Sequence, residues 1–157
     1  MSRTLSSPIF AIAVLAGIAA AATTAQAESH VSCNTLPAAV LSQVKTEAGD
    51  ATIRGCVKDK ENGKVTYEVE TLKDGRSRDI EFDASGSVLE VEQEVAGSSV
   101  PAAVSDAIAR AAKGGKVGKI ESVTRGGAIA SYETTITRQG QRHEVAFSPQ
   151  GAPVKAD

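Results

Sequence analysis

Residues 65–82 read Val65-Thr66-Tyr67-Glu68-Val69-Glu70-Thr71-Leu72-Lys73-Asp74-Gly75-Arg76-Ser77-Arg78-Asp79-Ile80-Glu81-Phe82. Val65, Tyr67 and Val69 alternate with Thr66, Glu68 and Glu70, the two-residue period of a strand with one buried face. Asp74-Gly75 is a hairpin signal, because the favoured two-residue turn needs residues that accept positive φ. The return run alternates too, setting Arg78, Ile80 and Phe82 against Ser77, Asp79 and Glu81. The stretch predicts an antiparallel hairpin with one apolar side and one acidic side.

Further along, Ser85-Gly86 makes the next turn, after which Leu89 and Val91 alternate with Glu90, Glu92 and Glu94. Upstream, Thr52 to Lys58 is a weaker strand interrupted by Gly55. Before it, Leu36, Val40 and Val44 keep a four-residue spacing around Pro37. That spacing predicts an amphipathic helix whose first turn accommodates proline without losing a hydrogen bond.

The same plan returns later in the chain. Leu36-Pro37-Ala38-Ala39-Val40 recurs as Val100-Pro101-Ala102-Ala103-Val104, displaced by 64. At a displacement of 65, Tyr67-Glu68 recurs as Tyr132-Glu133, Ile80 and Phe82 as Val145 and Phe147, and Gly86 as Gly151. The expected fold is therefore α+β with two tandem units, 34–95 and 100–157, joined by 96–99. Each unit is expected to be a helix followed by a three- to four-stranded antiparallel sheet. The sheets are expected to be either continuous or closely packed, with Tyr67 and Tyr132 under the helices. The chain ends before a full last strand can form, and Pro149, Pro153 and Lys155 suit a protected edge.

The N-terminus has the features of an export signal. Arg3 precedes the uncharged run Ile9 to Ala22, and Ala25-Gln26-Ala27 supplies small residues at a cleavage site. The apolar run is shorter than the roughly 20 residues needed to span a bilayer. Residues 1–27 are thus expected to be a cleaved signal peptide, leaving a periplasmic or secreted protein with no stable membrane insertion. In that oxidising compartment Cys33 and Cys56 are expected to form a disulfide. An unbroken strand would put Cys56 on the side of Arg54 and Lys58, so a bulge near Gly55 is expected.

Lys and Arg number 17 against 19 Asp and Glu, a net charge of −2, which gives no electrostatic case for a nucleic-acid partner. The acids are unevenly placed. Glu68, Glu70, Asp79, Glu81, Glu90, Glu92 and Glu94 share the polar side of strands that lie about 4.8 Å apart, so they form a patch. Such a patch is a solvated face, a partner surface or a cation site, with Arg54 and Lys58 placed to offset some of its charge. Glu68, Glu70, Asp79, Glu81 and Glu90 are the expected contact face for a partner. His30 and His143 have no third ligand at local spacing, and neither G-x-S-x-G nor S-x-x-K is present. No catalytic residue, metal ligand or cofactor is therefore expected.

Tyr67-Glu68-Val69-Glu70, Asp74-Gly75, Ile80-Glu81-Phe82-Asp83-Ala84-Ser85-Gly86 and Val88-Leu89-Glu90-Val91 together resemble the pattern of PepSY-like domains. That pattern is an aromatic-acidic strand, a D-G turn, and a strand ending D-x-x-G before V-L. Two copies in tandem resemble the arrangement of beta-lactamase-inhibitor-like proteins. The second copy departs from the pattern at Ser148-Pro149-Gln150-Gly151 and at Thr134-Thr135. The resemblance implies a non-enzymatic exported binding module that modulates a peptidase or other protein of the cell envelope. It supplies no catalytic residues to carry over. The alternative reading is a cation- or small-ligand-binding periplasmic stress protein that uses the acidic sheet face.

Overall fold

A computed structural model describes residues 28–61 and 63–156, so the expected signal peptide, 1–27, lies outside the described residues. The elements run β1 (Ser29–His30), α1 (Ala38–Ala48), β2 (Thr52–Glu61), β3 (Lys64–Lys73), β4 (Arg76–Asp83) and β5 (Val88–Val95). After a short 3-10 turn at Gly97–Ser99 come α2 (Ala102–Ala112), β6 (Lys116–Arg125), β7 (Ala128–Arg138), β8 (Gln141–Phe147) and β9 (Pro153–Val154).

The expectation of two tandem helix-plus-sheet units is overturned. Among the described residues, the strands form one nine-stranded sheet in the order β1 to β9, every neighbouring pair antiparallel, accompanied by two short α-helices. The physical reason is the edge of β5. Left alone, it would present a row of unpaired N–H and C=O groups. Instead Glu90–Val95 pair along their length with Ile120–Arg125 of β6.

Both helices cover the same side of this sheet. Val40 and Val44 of α1 bury against Val69, Ile80 and Phe82, with Tyr67 and Val91 packed beside them. Val104 and Ile108 of α2 bury with Tyr132 and Phe147, with Val95 alongside. Val91 and Val95 share one side of β5, and one meets each helix cluster. Among the described residues, the opposite side of the sheet carries no helix.

Two glycines set how closely the turns approach the helices. Gly86 has φ +87, and a Cβ there would lie 2.7 Å from the Ala39 carbonyl oxygen. Gly151 has φ +80, and its Cβ would lie 2.4 Å from the Ala103 oxygen. The recurrence of glycine at these places thus follows from both conformation and contact.

The expected bulge is present. Ile53 stands opposite Thr71 and Gly55 opposite Glu70, leaving Arg54 as the extra residue. Cys56 then faces the helix side opposite Val69, fully buried, and bonds to Cys33 with a Cα–Cα distance of 5.3 Å. Val57, by contrast, faces the other side, opposite Glu68.

Candidate functional site

The helix-free side of the sheet is where the acids gather, and the strand register stacks them directly. Glu68 of β3 faces Glu81 of β4, and Glu81 faces Glu90 of β5. One step along, Glu70 faces Asp79, and Asp79 faces Glu92. A third row runs Glu94, Glu121, Glu133 across β5, β6 and β7. Like charges directly opposite on adjacent strands repel, so each row opposes folding unless protons or cations relieve it.

All five residues of the expected contact face are therefore neighbours on one surface. Glu92 and Glu94 join them, as the strand alternation implied. Glu121 and Glu133 were not anticipated, because they come from the half of the chain with a surplus of bases. Their parity was available: Tyr132 points to the helices, so Glu133 must point away from them.

The expected offset by Arg54 and Lys58 is replaced by cations from β6. Lys58 stands opposite Tyr67 on the helix side, and Arg54 sits in the bulge. Instead Lys119 Nζ lies 2.7 Å from Glu94 Oε2, and Arg125 Nε lies 2.5 Å from Glu90 Oε2. These two cations lie on β6 to either side of Glu121, Lys119 two residues before it and Arg125 four after.

Between them Glu68, Asp79, Glu92 and Glu133 hold their protons more tightly than free carboxyls do. Burial, reinforced by Glu121, Glu90, Glu133 and Glu68, pushes Glu92 up to about 8. Burial and then the charges of Asp79 and Glu70 raise Glu68 to about 7. Asp79 is raised to about 6, again first by burial and then by Glu121 and Glu70. Burial also raises Glu133, partly opposed by a 2.9 Å hydrogen bond donated by Ser131 Oγ. Glu94 goes the other way, because Lys119 holds it charged.

Glu68, Asp79, Glu81, Glu90 and Glu92 line a concavity of about 260 Å³, together with Glu28 and Asp59. Among the described residues, no group of three His, Cys, Asp or Glu side chains is arranged to hold a metal ion. No helix among the described residues is long and apolar enough to cross a membrane. What the surface offers chemically is a dense array of acceptors suited to several ammonium or guanidinium groups at once.

Known proteins with this architecture are similar on both sequence and shape. The family described as "Putative beta-lactamase-inhibitor-like, PepSY-like" matches residues 65–154, more than half of the chain. The chain belongs to this family. Solved structures extend the likeness to the fold of this PepSY-like chain. A protein from Bacteroides eggerthii, described among "putative periplasmic proteins", aligns at 17% identity and TM-score 0.64, covering 76% of this chain and 86% of its own. A DUF2874 family protein from Bacteroides uniformis gives 20% identity and TM-score 0.60, with coverages of 76% and 86%. A BLIP-like protein from Bacteroides fragilis gives 22% and 0.57, with coverages of 76% and 84%. No curated protein matches the chain.

Proposed function

We propose that this PepSY-like chain is a non-enzymatic periplasmic binding module that docks a basic surface of an envelope protein, such as a peptidase, onto its acidic sheet face and so modulates that protein. The observation that carries the reading is the column Glu68–Glu81–Glu90, with Asp79–Glu92 beside it. Stacked carboxylates cost the chain stability, and sites that break a local rule of stability are where function is expected. A cationic partner would relieve the repulsion on contact and gain on-rate from the concentrated charge. The periplasmic assignment draws on residues 1–27 and on the descriptions of the Bacteroides proteins of like fold. The BLIP-like description of one of them favours a protein rather than a substrate as the ligand.

Affinity capture from native envelope extract tests this. The purified protein and a variant with Glu68, Glu70, Asp79 and Glu81 changed to Ser serve as paired baits. A protein retained by the wild type and lost with the variant supports the reading. Equal recovery from both baits overturns the acidic face as the contact surface.

A further inference from the structure

The two helix C-termini meet the sheet over the β3–β4 and β7–β8 hairpins, and the chain treats these places differently. Beside α1, two acids of the chain itself neutralise two bases. Asp50 pairs with Lys73 at 2.5 Å, and Glu47 pairs with Arg78 at 3.1 Å while its backbone oxygen accepts a second bond from the same guanidinium at 2.8 Å. Beside α2, the sequence correspondence replaces Lys73 by Arg138 and Arg78 by His143 but replaces Glu47 by Ala111 and Asp50 by Gly114. The bases are kept and the carboxylates are gone.

What results is a concavity of about 570 Å³ lined by Lys113, Gly115, Lys116, Arg138, Gln141 and His143, with no acid in its wall among the described residues. No ion pair or side-chain hydrogen bond engages Lys113, Lys116, Arg138 or His143 among the described residues, and Arg138 Nε is buried without a partner. Orphaned buried donors are rare and costly. Two further features hold the bases in place. A Cβ at Gly115 would lie 2.4 Å from Arg138 Cγ, so glycine there lets the arginine stem lie against the backbone. Lys113 adopts the left-handed conformation, φ 46 and ψ 43, at the position where α1 has Gly49, which also has a positive φ of 56. A lysine stands where glycine is the unstrained choice.

We propose that this basic concavity binds a small anion bearing two or more carboxylates, which takes the place that Glu47 and Asp50 fill beside α1. Arg138 supplies the planar, paired donors that fit a carboxylate, Lys113 and Lys116 supply charge, and His143 and Gln141 supply orienting hydrogen bonds. The volume suits a small molecule. The site lies on the helix side of the sheet and is independent of the acidic face.

Citrate is the probe, titrated into the isotope-labelled purified protein at constant ionic strength and followed by amide and Arg Nε–H resonances. Saturable shifts centred on Gly115 and Arg138 Nε are expected, with affinity about tenfold weaker in Arg138→Gln. Glu47→Ala with Asp50→Gly is expected to raise the stoichiometry from one citrate to two. Shifts that follow ionic strength alone, or saturable binding that Arg138→Gln leaves intact, would overturn the site; cations that merely answer the carbonyls of the α2 C-terminus would give that result. A stoichiometry unchanged by the double variant, or inorganic phosphate outcompeting citrate, would overturn the carboxylate assignment.

Discussion

Asp79 of β4 stands directly across from Glu92 of β5, and both carboxyls are half-buried on the helix-free side of the sheet. Neither has a basic residue opposite it on either neighbouring strand, since Glu70 flanks Asp79 and Val123 flanks Glu92. The pair sits at the centre of the acidic rows, where burial and repulsion act in the same direction.

Stability should fall as pH rises. Glu92, Glu68 and Asp79 are raised to about 8, 7 and 6 from ordinary values of 4.5, 4.5 and 3.8. Between those limits the folded chain holds more protons than the unfolded one, so stability declines with each step upward in pH. Thermal melting should give a higher Tm at pH 5 than at pH 8.5. Glu92→Gln should raise Tm at pH 8.5 by on the order of 3 °C and leave the value at pH 5 nearly unchanged, solvent screening keeping the gain modest.

Gly86→Ala should destabilise the chain by on the order of 2 kcal/mol in denaturant unfolding. The new Cβ would meet the Ala39 oxygen at 2.7 Å, and φ +87 is strained for any L side chain. Gly63→Ala, where a Cβ meets nothing within 4 Å, should cost less, since only its φ of +80 opposes the change. Equal losses at the two positions would show that the approach of the turn to α1 is looser than described.

Removing the disulfide should cost about 3 kcal/mol, the loop-closure value for a sequence separation of 23. The Cys33→Ala, Cys56→Ala variant should therefore unfold at lower denaturant than the oxidised wild type, and reduction of the wild type should reproduce most of the loss. Insensitivity to reduction would contradict a closed Cys33–Cys56 link.

Local pattern carried the hairpin at Asp74-Gly75, the α1 and α2 stripes and the side on which each acid lies, because periods of two and 3.6 are written in neighbouring residues. The bulge was also legible, since without it Cys56 could not share the side of Ile53, although Lys58 and not Val57 then lies on that side with it. The union of the strands into one sheet was left open by the sequence, which allowed a continuous sheet or closely packed ones. Alternation shows which side of β5 is apolar but says nothing about which strand its edge will meet, and Ile120–Arg125 lie far along the chain from Glu90–Val95. The same long-range pairing brought Glu121 and Glu133 into the acidic rows and substituted Lys119 and Arg125 for the expected Arg54 and Lys58.

The most direct measurement is equilibrium binding of the captured envelope protein to the wild type and to a Glu68→Gln, Asp79→Asn, Glu92→Gln variant, each in low and in high salt at pH 8.5, where all three carboxyls are mostly charged, with Tm recorded on the same samples. An acidic docking face predicts a variant that melts higher than the wild type, binds about tenfold or more weakly, and loses most of the salt dependence. A variant that binds as tightly as the wild type, with the same response to salt, would contradict it.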